Sequence, residues 1–151
     1  ATRGTLGSAR YARLREQQLQ ASTTPLQIHD QPCDGLADAI ERDDRATIDA
    51  LCAGYVRAVR ARAADLDVLV LGCTHYPFAV DAIRRAAGDH VQLLDPAEPV
   101  ARRVRAVAPA AAGTPSLRLL ATGDTAPLQR MARRWLGIDV GVEAVTLEGA
   151  G

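Results

Sequence analysis

Cys73 and His75 are the residues of this chain best suited to proton-transfer chemistry, because a thiol and an imidazole lie two positions apart. The thiol could act as a base or a nucleophile, and the imidazole could orient it, share its proton or bind a substrate anion. Thr74, between them, could cap a helix or donate a hydrogen bond to a carboxylate. A structural interpretation competes with this one, in which Cys73 is a small buried apolar residue and His75 is an ordinary core or surface residue. The spacing alone leaves both open.

The flanking sequence predicts where these residues lie. Residues 67–71 contain a run of Val and Leu that leads into Gly72, which is typical of a buried parallel strand. A helical pattern begins at about Phe78, so the segment joins the carboxyl end of a strand to a helix. Ligands of open α/β sheets bind at such ends, and the positive end of a helix dipole favours a thiolate there. We therefore expect residues 73–75 to line a cleft.

The rest of the chain alternates predicted helices and strands. Helices are predicted at about 8–20, with Ser8 as a possible N-cap, and at 36–41, 44–64 and 97–108; residues 122–136 are predicted as a turn followed by a helix. Strands are predicted at 26–29, 91–94, 117–120 and 140–145. Residues 109–115 form an Ala, Gly and Pro-rich connector. This alternation indicates a three-layer α/β sandwich with a parallel sheet. Cys52 lies in the apolar stripe of the 44–64 helix and is assigned to packing, whereas Cys33 lies in a turn.

Composition narrows the class of protein. The 18 basic and 18 acidic residues cancel, and only five of the 151 residues are aromatic, which argues against a nucleic-acid-binding surface. Three widely spaced cysteines suit a reducing compartment better than a disulfide framework or a structural metal site. The sequence has neither an apolar run long enough for a membrane span nor a charged leader. We therefore expect a soluble, cytoplasmic protein that binds no metal, nucleic acid or membrane.

Several segments resemble motifs of the glutamate racemases, in the same order along the chain. Residues 71–77 resemble the second catalytic-cysteine motif of that family: Leu-Gly-Cys-Thr-His-Tyr-Pro. Residues 1–5 are similar to the family's Ala-Thr-x-Gly-Thr turn. The remaining similarities lie at residues 31–41 (a Pro-Cys segment that ends in a glutamate), 95–101 and 121–124. The resemblance therefore spans nearly the whole chain.

The resemblance implies an amino-acid racemase that interconverts L- and D-glutamate without a cofactor and supplies D-glutamate for peptidoglycan. Racemases of this family use two thiols, one from each of two pseudo-symmetric α/β domains, on opposite faces of the substrate. Cys73 would be the second of these thiols, with His75 beside it in the catalytic site. The resemblance implies four substrate-binding residues: Thr74, His75, Thr2 and Thr5. It also places Glu41 near His75, although Glu41 could be a solvated helix-end carboxylate and the threonines could be turn formers.

Two motifs of the family have no counterpart here, namely an Asp-Ser-Gly strand turn and an Asn-Thr-containing cysteine motif. Neither Cys33 nor Cys52 lies in a sequence that matches the Asn-Thr-containing cysteine motif. The resemblance therefore implies that residues 1–95 form the second racemase domain without its first strand, and that residues 96–151 are the tail that would complete the first domain. With the opposing base absent, we expect no racemisation by these residues alone. The apolar face that includes Trp135 and Leu136 is expected to be exposed and prone to self-association.

Two other functions remain open at this point. An aspartate or hydantoin racemase of the same superfamily would use the same pair of thiols, although the His75-Tyr76-Pro77 ending favours glutamate. A non-enzymatic remnant that acts as a binding module would keep the fold without the reaction.

Overall fold

The computed structural model describes residues 1–108, 114 and 116–147. The chain divides into two compact units, Ala1–Val107 and Ala108–Gly151. The helix over residues 97–107 is thereby grouped with the first unit. The assignment of residues 1–95 and 96–151 to two racemase domains stays a prediction.

The first unit contains six helices and one parallel pair of strands among its described residues. The helices are α1 (Arg3–Leu6), α2 (Ala9–Ala21), α3 (Leu36–Glu41), α4 (Arg45–Arg60), α5 (Val80–Ala87) and α6 (Ala97–Val107). A short 3₁₀ helix, Tyr76–Ala79, precedes α5. The strands are β1 (Val68–Val70) and β2 (Gln92–Leu94). They pair in parallel, with Leu69 opposite Leu93.

The core of the first unit lies between the sheet and the helices α4 and α5. Leu69 of β1 packs against a buried cluster of Val56, Ala87 and Val91. The apolar stripe predicted on the fourth helix is confirmed, because its buried residues recur at helical spacing: Ile48, Cys52, Val56 and Val59. Cys52 is 2% exposed, and burial raises the pKa of its thiol to about 11. Its assignment to packing is therefore confirmed.

Polar side chains fix where two of these helices begin. Ser8 caps α2 by accepting a hydrogen bond from the Tyr11 backbone N–H at 3.2 Å, as the sequence predicts. Asp44 caps α4 in the same way, with its carboxylate 3.1 Å from the Thr47 N–H. These caps satisfy N–H groups that have no partner within the helix.

The second unit contains the strands β3 (Leu119–Ala121) and β4 (Val142–Ala144), which pair in parallel, and the helix α7 (Thr125–Leu136) between them. Strand, helix and strand are thus confirmed in type, with bounds shifted by a few residues. Leu136 is 61% exposed, as expected, but Trp135 is partly buried. The guanidinium of Arg134 lies 5.1 Å from the centre of its ring, which covers part of the indole that we expected to be open.

Three sequence predictions differ from the structure. Residues 26–29 form no strand, because no neighbouring strand pairs with them and the Ile28 carbonyl instead accepts a hydrogen bond from the Arg15 guanidinium at 3.1 Å. Residues 1–5, expected as a turn, include the first three residues of helix α1 (Arg3–Leu6). Helix α4 ends at Arg60 rather than near residue 64. The predicted connector at 109–115 lies almost wholly outside the described residues.

The α/β class with parallel strands is confirmed. None of the helices in the described part of the chain combines the length and apolar character that a membrane crossing needs.

Candidate active site

A cleft of about 540 Å³ lies in the first unit beyond the carboxyl end of β1. It is lined by Thr2, Thr5, Ala37, Gly72, Cys73, Thr74, His75 and Pro96. Five of the six residues predicted to form a site therefore line one cleft, and the sixth, Glu41, contacts His75. The structure brings these residues together from three separate parts of the sequence; their chemical roles stay predictions.

The backbone at the end of β1 places Cys73 beside the first residues of the chain. The Leu71 N–H donates to the Leu94 carbonyl at 2.9 Å, which extends the pairing one residue beyond the strand. At Gly72 a Cβ atom would lie only 2.9 Å from the Cβ of Ala1. Because glycine has no such atom, the two backbones approach closely and Cys73 follows next to the segment that leads into α1.

The side chains of Cys73, His75 and Glu41 form a line of polar contacts. The Cys73 Sγ lies 3.9 Å from His75 Nδ1, and His75 Nε2 lies 2.9 Å from a carboxylate oxygen of Glu41. An ionised carboxylate only accepts hydrogen bonds, so Nε2 carries a proton and donates a hydrogen bond to the Glu41 carboxylate. In the neutral ring Nδ1 is then an acceptor that faces the thiol. This arrangement allows the imidazole to hold the proton of Cys73 when the thiolate forms.

Thr74 competes weakly for the same nitrogen. Its Oγ1 lies 3.5 Å from His75 Nδ1, at the long limit of a hydrogen bond. Thr74 is exposed and Cys73 is half-buried, so both can meet a ligand in the cleft.

Thr2 and Thr5 are linked to each other across the first turn of α1. The Thr5 N–H donates to Thr2 Oγ1 at 3.2 Å, and the two hydroxyl oxygens are 2.9 Å apart. Whichever hydroxyl donates to the other, the second keeps a free O–H donor. Thr2 and Thr5 therefore form the turn, as the structural alternative predicted. One of their hydroxyl groups also remains available as a hydrogen-bond donor at the cleft.

The turn at residues 33–35 does not line the cleft but contacts the segment that carries Cys73, and this contact was not predicted from the sequence. The Tyr76 hydroxyl donates to the Cys33 carbonyl at 3.4 Å, and the Tyr55 hydroxyl donates to the Asp34 carbonyl at 2.6 Å. Burial raises the pKa of Tyr76, so its hydroxyl stays a donor. The position of Tyr76 in the Cys-Thr-His-Tyr segment was the only feature of the sequence that could have indicated this contact. Tyr55 gave none, because it also fits the apolar stripe of α4.

The helix that follows Cys73 begins with a 3₁₀ segment, which the sequence did not predict. The 3₁₀ helix Tyr76–Ala79 separates the thiol from α5, which begins only at Val80. The predicted effect of the helix dipole on the thiol stays a prediction. Pro77 lies in the first turn of this 3₁₀ helix, where its fixed φ and missing N–H are tolerated.

The other two cysteines do not line the cleft. Burial raises the pKa of the Cys33 thiol, which lies 3.5 Å from the Gln31 carbonyl, and Cys52 is enclosed by the core. Among the described residues that line the cleft, Cys73 thus supplies the thiol.

Fold and site together define an α/β protein with a partly exposed thiol, flanked by an imidazole, at the carboxyl end of a parallel strand. No family model matches the chain. It is 41% identical to a glutamate racemase of Ralstonia nicotianae over 162 aligned positions, which cover 96% of this chain and 55% of that protein. A glutamate racemase of Ralstonia pickettii is 40% identical, with 91% of this chain and 49% of that protein covered.

Solved structures give the same result. Glutamate racemase RacE1 of Bacillus anthracis superposes with a TM-score of 0.77 at 26% identity, covering 95% of this chain and 55% of its own. The enzyme of Francisella tularensis, solved with D-glutamate, gives a TM-score of 0.75 over 98% of this chain and 56% of its own; at 20% identity it bears on the fold alone. The predicted resemblance to the glutamate racemases is therefore confirmed. The chain spans about half the length of the curated relatives it matches.

Proposed function

We propose that this chain is part of a glutamate racemase and that its cleft binds glutamate beside Cys73. The observation that carries the proposal is the meeting of Cys73, His75 and the Thr2–Thr5 pair in one cleft. A thiol supplies a base, and the hydroxyl groups supply donors for a carboxylate. The names of the relatives favour glutamate over aspartate or a hydantoin.

The proposed reaction is a proton transfer at Cα. The Cys73 thiolate removes the α-proton: the C–H bond breaks, an S–H bond forms, and the electron pair of the C–H bond passes into the substrate carboxylate group. Inversion then requires a proton delivered to the opposite face of the carbon. No cofactor takes part in this scheme. The His75 imidazole, held by Glu41, accepts the thiol proton that must leave Cys73 before the reaction begins.

Only half of this scheme belongs to the described cleft, because its lining contains one thiol. The group on the opposite face comes from another part of a longer racemase. One thiol returns the proton to the face from which it came, so the outcome is exchange without inversion. The half-open cleft also leaves water in contact with the thiol, which weakens the electrostatic interactions that catalysis needs. We place the complete reaction in the cytoplasm, where D-glutamate would be used for peptidoglycan.

Binding is the direct test. Isotope-labelled chain is titrated with L-glutamate, D-glutamate and L-aspartate while the backbone amides of residues 73–75 are followed by NMR. We expect both glutamate enantiomers to shift these amides and to slow alkylation of Cys73, and aspartate to do so less. The Cys73→Ser variant tests whether the shifts depend on the thiol. No response to glutamate at millimolar concentrations would contradict the proposal.

Chiral chromatography tests the limit set by one thiol. After incubation with L-glutamate, we expect no D-glutamate from the chain. If D-glutamate appears and is lost in Cys73→Ser, then inversion does not need a second thiol, and the two-thiol scheme is wrong for this protein.

A further inference from the structure

An ion pair outside the cleft joins α1 to the turn at residues 33–35. The Arg3 Nε donates to both carboxylate oxygens of Asp34, at 3.0 and 2.8 Å, and a terminal guanidinium nitrogen lies 2.7 Å from one of them. Arg3 stands between Thr2 and Thr5 in the sequence. Its contact is therefore made from the same helical turn that carries the two cleft hydroxyls.

Helix α1 needs such an external contact to keep its place. It contains four residues, none of them buried, and a single helical turn is not stable by itself. The Thr2 cap shapes the turn but does not attach it to the rest of the unit. On its N-terminal side α1 is attached through Ala1, whose carbonyl accepts a hydrogen bond from the Cys33 N–H at 3.0 Å. Arg3 adds a side-chain attachment to the same turn from within the helix, because Asp34 lies 31 positions further along the chain.

Asp34 is itself held on two sides. Its carbonyl accepts the Tyr55 hydroxyl of α4 at 2.6 Å, and the neighbouring Cys33 carbonyl accepts the hydroxyl of Tyr76 at 3.4 Å. Tyr76 follows Cys73 by three residues. The turn is thus tied to the core helix and to the segment that carries the thiol, while its carboxylate ties it to α1.

We propose that Arg3 and Asp34 are positioning residues that hold the Thr2 and Thr5 hydroxyls in place relative to Cys73 and thereby set the affinity for an amino-acid carboxylate. The part that concerns the ligand rests on the proposed function. The ion pair is exposed, with 73% of the Arg3 side chain and 54% of the Asp34 side chain accessible. Exposed pairs contribute little energy, so we expect changes of about two- to fivefold when either charge is removed.

The first arm of the test needs no ligand. Exchange of the Thr5 backbone N–H with water is measured by NMR in the wild-type chain, in Arg3→Gln, in Asp34→Asn and in the charge-swapped Arg3→Asp, Asp34→Arg double variant. We expect each single variant to exchange about two- to fivefold faster and the swap to restore much of the protection. Arg85→Gln is the matched control: it removes an ion pair of similar exposure, to Asp49 at 2.6 Å, away from the cleft. Unchanged Thr5 exchange in the single variants, or an equal effect of Arg85→Gln, would overturn the proposal.

The second arm measures the dissociation constant for L-glutamate in the same variants. If Arg3 acted only as a cation that attracts the ligand, Asp34→Asn would tighten binding, because it removes a negative charge. Positioning predicts the opposite sign: both Arg3→Gln and Asp34→Asn weaken binding about two- to fivefold, and the swap restores it. Tighter binding by Asp34→Asn therefore refutes the positioning role. If the wild-type chain binds no glutamate while the exchange results hold, the proposed function fails and the attachment of α1 by this ion pair stands.

Discussion

Replacing Gly72 by alanine puts a methyl group where the backbone leaves no space for it. The new Cβ atom would lie 2.9 Å from the Ala1 Cβ and 3.5 Å from the Ala1 Cα. Ala1 cannot move away freely, because its N–H group donates to the Gln31 carbonyl at 2.9 Å and its carbonyl accepts from the Cys33 N–H at 3.0 Å. We therefore expect Gly72→Ala to destabilise the first unit and to displace the segment that leads into α1.

The size of the effect follows from these contacts. Moving Ala1 loses up to two hydrogen bonds worth about 0.5–1.5 kcal/mol each, which gives about 1–3 kcal/mol, the range also found for overpacking. Alanine also lowers the backbone entropy of the unfolded chain, which offsets about 0.4–1 kcal/mol of this loss of stability. The difference is a net loss of about 0–2.6 kcal/mol, with a midpoint of about 1.3 kcal/mol.

Urea denaturation followed by circular dichroism measures this loss, with Gly54→Ala as the matched control. Gly54 lies inside α4 and has no atom within 4 Å of the Cβ position, so alanine should stabilise the helix there by about 0.5–1 kcal/mol. The two substitutions thus have opposite expected signs. If Gly72→Ala stabilised the chain as much as Gly54→Ala, the close approach of Ala1 would not exist in solution.

Three further predictions concern reactivity, pH and association. Iodoacetamide at pH 7.5 should modify Cys73 at least about tenfold faster than Cys52, because Cys73 lines the cleft whereas Cys52 is 2% exposed and burial raises its pKa to about 11. Equal rates in peptide mapping would contradict this. Hydrogen bonds from Thr47 lower the pKa of Asp44, so Asp44→Ala should lower the urea midpoint of unfolding at neutral pH. The difference in midpoint between wild type and variant should shrink as the pH falls below 3.8 and through the lowered pKa of the folded state. A difference that is independent of pH would show that the charge is not involved. Leu136→Glu should reduce self-association in sedimentation, and a wild-type chain that stays monomeric at high concentration would remove the basis for this expectation.

Helices were predictable from the sequence wherever one face is apolar and the first residue can cap. The stripe of α4 and the cap at Ser8 are local patterns, and a local pattern is preserved when the chain folds. The strand predicted at residues 26–29 failed for the opposite reason. A strand exists only when a second strand supplies its hydrogen bonds, and the sequence does not contain that pairing. The Arg15 side chain, which binds the Ile28 carbonyl, could not be inferred from spacing.

The same distinction applies to the site. Cys73, Thr74 and His75 are contiguous, so their chemistry could be suggested from residue types alone. Glu41 was placed near His75 only through the family resemblance, since a distance of 34 positions carries no periodic signal. Neither the residue types nor the family resemblance indicated the attachment through Arg3 and Asp34. Both residues are charged and exposed, and on sequence alone such residues are assigned to the solvated surface.

The proposed function assigns binding and inversion to different parts of a racemase. In the proposed scheme the hydroxyl pair on α1 and the turn that holds it position a carboxylate, and these residues lie in one compact unit with the thiol. Inversion needs an acid on the far side of Cα and exclusion of water, and a half-exposed thiol in an open cleft supplies neither. A chain that binds both enantiomers of glutamate but interconverts neither would show that substrate recognition is already established by one α/β unit before the second thiol is added.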